Sequence, residues 1–333
     1  MYHSGRMDLW GDIKNDHVNS VILSPTNDSF RQDYKIYRIY KIAMKRSFFT
    51  VLQKLRITRF AAWWNRQRVV ILCYHGVTER IKRHPEDHSG LHIRADRFEA
   101  QLNYLRRHYH VISLAEFVEA RKNNVPLPDY SVVLTFDDGY RNFLTSALPR
   151  LVARNMHVSI FLITDRIQPD SQSHVTQWRE SDDERYLSWE EVKTLQQQGV
   201  EIGSHTCSHR KLSEIVPVEA ERELFVSHQT IAAHLPQATM PLAFPYGSYS
   251  GPVIEITRKL PYTCALTTDA GTNGDTTDLF LLRRNLIGDD DDEALFAARV
   301  SGLTTLFQRA RMPFRSLLLK RHEEAPKAQM RYS

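Results

Sequence analysis

The sequence predicts an α/β fold built on a mostly parallel sheet, and three observations predict it. Short, almost wholly apolar runs recur along the chain, as strands buried on both faces require. Stretches with apolar residues at helical spacing separate these runs over more than 200 residues. Polar motifs follow directly after three of the runs, where parallel α/β folds place their ligands.

The elements follow in order. Val69-Val70-Ile71-Leu72-Cys73-Tyr74 is the first strand of a folded region expected to begin near Arg68. Residues 97–108 carry Phe98, Leu102 and Leu105 on one helical face. A short strand at 111–112, a helix starting near Ser113 and a strand at Ser131–Phe136 come next. A helix is expected through 147–154, a strand at 158–163, a helix at 189–198 and a strand at 200–204. The last repeats are a helix at 219–235, a strand at 242–244, a helix at 253–259 and a strand at 263–267. The pattern is compatible with an open sheet and with a closed barrel.

With 333 residues, 42% hydrophobic and 25% charged, the chain has room for one large domain plus appendages. Cys73, Cys207 and Cys264 are odd in number and show no CxxC spacing, which argues against a disulfide framework and a thiolate zinc site. No apolar run approaches the ~18–20 residues that span a bilayer, and no export signal is apparent. A cytoplasmic protein is therefore expected, with Met44 readable as an alternative start.

Charge is unevenly placed. Between Tyr34 and Val70 there are ten Lys or Arg and no Asp or Glu, interleaved with Tyr37, Tyr40, Phe48, Phe60, Trp63 and Trp64. Residues 34–66 thus read as a basic amphipathic helix. It suits either an anionic membrane surface, peripherally on the inner face, or packing on the main domain. Residues 1–33 are polar and aperiodic and are expected to be disordered, and 303–333 form a basic tail. No motif for reading nucleic acid is present, so no nucleic-acid partner is expected.

Three motifs carry chemistry. In Thr135-Phe136-Asp137-Asp138-Gly139-Tyr140, two adjacent carboxylates at a strand end repel unless a cation or proton joins them; taken alone, the pair also fits a solvated turn. In Gly203-Ser204-His205-Thr206-Cys207-Ser208-His209, histidines four apart are expected on one face of a helical turn, able to share an ion, with Cys207 turned away. Phe244-Pro245-Tyr246-Gly247 is a stiff turn after another strand.

Together these runs resemble the polysaccharide deacetylase superfamily, also called the NodB homology domain or carbohydrate esterase family four. The resemblance spans roughly residues 68–302. It implies a distorted (β/α) barrel of about seven parallel strands and hydrolysis of the N-acetyl group of an amino sugar in a polysaccharide or glycan. The implied cofactor is a divalent metal, with Zn²⁺ expected, held by Asp138, His205 and His209. Asp137 would be the general base, and Pro245, Tyr246 and Gly247 would line the substrate groove, with the Tyr246 backbone N–H on the oxyanion. Trp178 and Trp189 are candidate sugar-stacking residues.

The chain departs from the pattern twice. Where many members have an arginine that orients the base, it has Ala243, so Arg283 or Arg284 is expected to substitute. The late Leu-x-His motif that supplies the acid is also missing. Cys73-Tyr74-His75-Gly76-Val77 instead resembles the branch with exopolysaccharide (poly-N-acetylglucosamine) deacetylases, in which the acid histidine comes first; by that resemblance His75 is the general acid. Competing readings are removal of an acyl group such as formyl from a lipid-linked sugar, and a binding protein that has lost catalysis.

Overall fold

Val70–Tyr74 (β1) and Ser131–Phe136 (β5) are buried along their whole length, because alternate side chains meet apolar partners on opposite faces of one sheet. The computed structural model describes residues 47–79, 91–169, 185–236 and 239–307. Helix Ile57–Trp64 (α1) precedes β1. A small parallel pair, Gly76–Thr78 (β2) and His92–Arg94 (β3), then leads to Ala95–His108 (α2), His110–Val111 (β4) and Leu114–Asn123 (α3). After β5 come Leu148–Val152 (α4), Ser159–Leu162 (β6), Trp189–Gln197 (α5), Glu201–Ser204 (β7) and Pro217–His234 (α6). Leu242–Ala243 (β8), Gly251–Lys259 (α7), Ala265–Leu266 (β9), Asn285–Leu286 (β10) and Glu293–Val300 (α8) complete the described chain.

Seven strands form one sheet in the order β10-β1-β5-β6-β7-β8-β9, every neighbouring pair parallel, with β4 added beside β5. The segment after β9 closes the curl. The Leu282 N–H donates to the Ala265 carbonyl and the Thr267 N–H to the Leu282 carbonyl, and three residues later Asn285 pairs with Leu72 of β1. The result is a curled half-barrel, the distorted (β/α) barrel that the family resemblance implied.

Strand alternation sorts the core into an outside and an inside. Val70, Leu72, Val132, Leu134, Ile160 and Ile202 share one cluster with Phe98, Leu102, Leu195 and Leu224 of the surrounding helices. Ile71, Val133, Phe161, Ala243, Leu266 and Leu282 form the apolar interior, joined by Leu114, Phe117 and Val118 of α3. The next inward positions along the strands are Cys73, Thr135 and Asp137, so the barrel changes from apolar to polar toward its C-terminal end.

Two local expectations are corrected, and a third element is extended. The segment expected as one helix over 34–66 is broken: residues 47–54 are helical, Arg56 is left-handed (φ 60°) and α1 begins at Ile57, while 34–46 lie outside the described residues. The histidine motif is not a helical turn, because residues 205–211 form a loop. The helix expected at 147–154 is present as α4 and is preceded by a π-helical turn, Phe143–Ala147, shortly after Tyr140 of the first motif. Residues 1–33 and 308–333 lie outside the described residues, whereas Leu303 packs with Phe49, Leu52 and Ala298.

Candidate active site

The chemistry-bearing residues meet at the C-terminal ends of the strands. Asp137 leaves β5 pointing inward and is 2% exposed. Arg284, wholly buried on the closing segment, donates from its two terminal nitrogens to the two carboxylate oxygens of Asp137 at 2.6 and 2.8 Å. Its Nε donates to the Thr267 carbonyl at 2.9 Å, which fixes the plane of the guanidinium. The Cys73 thiol lies 3.3 Å from Asp137 Oδ2. Burial alone would raise the Asp137 carboxyl, but the charge of Arg284 and its two hydrogen bonds outweigh it and hold the group well below the usual carboxylate range. The base candidate is therefore an ionised carboxylate kept out of water.

Asp138 has the opposite environment. It sits at φ 75° and Gly139 at φ 81°, two successive left-handed residues that turn the chain sharply off the strand end. Its Oδ1 is buried with no hydrogen-bond partner among the described residues. Burial, then the charge of Asp137, pushes its carboxyl up to about 7. A buried acceptor with no donor is a site that a cation would satisfy.

His205 and His209 supply the rest. His205 Nε2 lies 3.6 Å and His209 Nε2 3.5 Å from that same Asp138 Oδ1. The Ala243 carbonyl, which can only accept, lies 2.7 Å from His205 Nδ1, so the proton belongs on Nδ1 and the Nε2 lone pair faces Asp138. Burial lowers His205 to about 3 and His209 to about 4, so both imidazoles are neutral. A tetrahedral zinc ion with ligands at ~2.0–2.1 Å keeps its donors roughly 3.3–3.5 Å apart. The spacing, the orphaned Oδ1 and the free lone pair on His205 Nε2 fit a divalent cation, and the three ligand atoms lie within 4.8 Å of one another.

Left-handed backbone is concentrated here. Of eight non-glycine residues with positive φ among the described residues, Asp138, Thr206, His209 and Tyr246 belong to this site. The two histidines converge through Thr206 (φ 64°) and His209 (φ 66°), not through helical periodicity.

His75 follows β1. Burial lowers it to about 4 against the pull of Asp137, and its Nδ1 is buried without a hydrogen-bond partner among the described residues. On the outer side of His209 lies the third motif. The Tyr246 ring is half exposed, with its centroid 4.6 Å from that of His209. Pro245 is buried beneath it. A side chain on Gly247 (φ 65°) would stand 2.6 Å from the Thr268 backbone nitrogen. An open depression of about 400 Å³ runs past His209, Lys211, Ile215 and Tyr246.

This geometry agrees with what the chain is similar to. The family description "Polysaccharide deacetylase" matches residues 124–265, which include Asp137, Asp138, His205, His209 and the Pro245-Tyr246-Gly247 turn. The chain carries a polysaccharide deacetylase domain. The poly-beta-1,6-N-acetyl-D-glucosamine N-deacetylase of Escherichia coli K12 is 26% identical over 267 residues, 71% of this chain and 39% of that protein. The chain thus spans about two fifths of that relative's length. A Streptococcus pyogenes deacetylase, PplD, solved with acetate, is 26% identical with a TM-score of 0.58, covering 67% of this chain and 93% of that one. IcaB from Ammonifex degensii (24% identity, TM-score 0.57, 71% of this chain and 97% of that one) shares the fold.

Several residues of the deacetylase domain take places that the sequence did not assign. Between the two arginine candidates, Arg284 faces the base. Arg283 turns the other way, with its backbone N–H on Asn273 and its side chain against Gly271. Trp189 is not a sugar platform: it starts α5, is 7% exposed and has its ring stacked on His234 at 3.9 Å. Trp178 lies outside the described residues. Cys207 stays outside the ligand cluster, its thiol 3.0 Å from Asp165 Oδ1.

Glu223 of α6 has a role that no motif announced. Its carboxylate accepts the backbone N–H groups of Cys207 and Ser208, at 3.1 and 2.8 Å, and the Ser208 hydroxyl at 2.5 Å. It thereby clamps the loop between the two histidines. Tyr140, two residues after Asp138, stacks on Tyr186 at 5.0 Å, with Arg166 over Tyr186.

Proposed function

We propose that this chain removes the N-acetyl group of an amino sugar within a polysaccharide or glycan, releasing acetate and leaving a free amine. The observation that carries this reading is the placement of Asp137, ionised and gripped by Arg284, directly beside the converging donors Asp138, His205 and His209. The activity for which the Escherichia coli relative is named makes a β-1,6-linked N-acetylglucosamine polymer the first substrate to try. Zn²⁺ suits one carboxylate and two imidazoles, and when bound it would acidify water and polarise the acetamide carbonyl.

The chain's own residues do the remaining work. Asp137 accepts a proton from the attacking water as its oxygen bonds to the acetamide carbon. By the family resemblance, the backbone N–H of Tyr246, a left-handed residue beside His209, would donate to the oxyanion that develops. His75 protonates the departing nitrogen as the C–N bond breaks, since a free amide anion is too poor a leaving group. His75 is neutral at rest, so it takes up one proton from solvent as the oxyanion's negative charge favours the imidazolium. It passes that proton to the nitrogen and returns to the neutral form, while Asp137 releases the water proton to solvent. Arg284 supports turnover over mere binding, because it supplies the guanidinium that Ala243 lacks.

Acetate release from N-acetylglucosamine oligomers, with and without added Zn²⁺ and beside Asp137→Asn, tests the reading. Metal-dependent release that the variant loses is expected. No release by the metal-loaded wild type would move the site to another acyl sugar or to binding alone.

A further inference from the structure

We propose that the face formed by residues 51–66 docks on an anionic phospholipid bilayer. α1 has two unlike sides. Thr58 and Ala61 are buried, and Ala61 packs with Ala294, Leu295 and Ala298 of α8. The other side presents Phe60 (60% exposed), Trp63 (49%) and Trp64 (67%), with ring centroids 5.8–6.5 Å apart. The preceding helical turn adds exposed Val51 and Leu55. Three large rings gathered in water, beside two aliphatic side chains, form a contiguous apolar surface of the kind that marks a contact site.

Charge selects the occupant. Lys54, Arg56 and Arg59 are exposed around the rings, and the Arg66 guanidinium lies 5.1 Å from the Trp63 ring centre. No acidic residue occurs between Tyr34 and Val70. A second copy would bring like charge to like charge, whereas anionic headgroups complement the rim while the rings reach the acyl boundary. No helix among the described residues is long and apolar enough to cross a membrane, so the contact would be peripheral.

The same geometry orients the enzyme. α1 ends at Trp64 and β1 starts at Val70, while Cys73 and His75 lie at the far end of β1. The five residues of β1 span roughly 16 Å, so the aromatic face belongs to the barrel end opposite the mouth. Docking therefore leaves the mouth open to a polymer away from the surface. It also disfavours a sugar held at the headgroups as substrate. The docking proposal does not depend on the activity proposed above.

Flotation of the full chain tests it, using phosphatidylcholine vesicles with and without about 30 mol% phosphatidylglycerol. Wild type should float with the anionic vesicles only, and the binding should weaken several-fold as salt rises from ~0.1 to ~0.5 M. The Phe60→Ser/Trp63→Ser/Trp64→Ser variant should bind at least about tenfold less, and Arg56→Gln/Arg59→Gln should lose the preference for anionic lipid. Both variants should keep the wild-type melting temperature and turnover of soluble oligomers. Tryptophan emission of wild type should shift to the blue on vesicle addition. Wild type that stays unbound, or a triple variant that floats equally well, overturns the proposal. A dimer lost in the triple variant, without vesicle binding, assigns the face to a second copy and also overturns it.

Discussion

Arg284 holds Asp137 by both carboxylate oxygens across 147 residues of sequence, and neither side chain reaches solvent. Arg284 belongs to the segment that hydrogen-bonds β9 and then pairs with β1, so closing the barrel and ionising the base are one structural event. Ala243 carries no guanidinium to compete for that place, and its carbonyl instead orients His205.

Arg284→Met would strand a buried carboxylate and is expected to cost about 3–5 kcal/mol. The Asp137 pKa is depressed in the folded state, so the pair stabilises the fold above the ordinary carboxylate range. That contribution is lost as pH falls through the depressed value. Arg284→Lys keeps the charge but not the two-pronged grip. It should fold, lose about ten- to a hundredfold in kcat, and move the acid limb of the kcat profile to higher pH. A pH–rate profile checks this, and an acid limb that stays in place would refute the role given to Arg284.

Much of this arrangement was legible in the sequence, and the failures have physical causes. Strand runs such as Ser131–Phe136 are apolar on both faces because the sheet is covered on both faces, and that pattern is local. The pairing of Arg284 with Asp137 depends on how the barrel closes, which no local pattern encodes. In an extended segment, neighbouring Arg283 and Arg284 must point to opposite sides, but which side is inward depends on register. β2, β3 and β10 have two or three residues each, too few for a period to show. The histidines met as expected by the wrong route, since their convergence comes from left-handed Thr206 and His209.

Glu223 should control metal affinity without touching the metal. Glu223→Ala removes the acceptor for two backbone N–H groups in the histidine loop and is expected to weaken zinc binding about 10–100-fold. Glu223→Gln keeps a carbonyl acceptor and should lose less. Chelator competition measures the affinities, and an unchanged melting curve of the metal-free protein separates loop positioning from a general loss of fold.

Metal binding should release one proton near neutrality, not three. Asp138, raised to about 7, must ionise to bind a cation, whereas His205 and His209, at about 3 and 4, are already neutral. Affinity is therefore expected to fall about tenfold per pH unit below 7 and to steepen only near pH 4. Histidines with ordinary pKa values would steepen the slope from about pH 6.5. Competition titrations at pH 8, 7, 6 and 5 distinguish the two. A slope approaching three between pH 6 and 5 would show that burial does not hold the imidazoles neutral.

His75 is best tested by changing what leaves. An amide nitrogen must be protonated to depart, but the phenolate of an activated aryl acetate departs without help. His75→Gln is expected to lower kcat on N-acetylglucosamine oligomers by about 10²–10⁴-fold while hydrolysing the aryl ester at close to the wild-type rate. The metal held by Asp138, His205 and His209 should be retained, because His75 is not one of those three donors. A structural role would depress both substrates together, since a displaced β1 end would carry Cys73 away from Asp137 and disturb the base in either reaction. Parallel loss would thus remove the acid assignment, and loss confined to the amide would establish it.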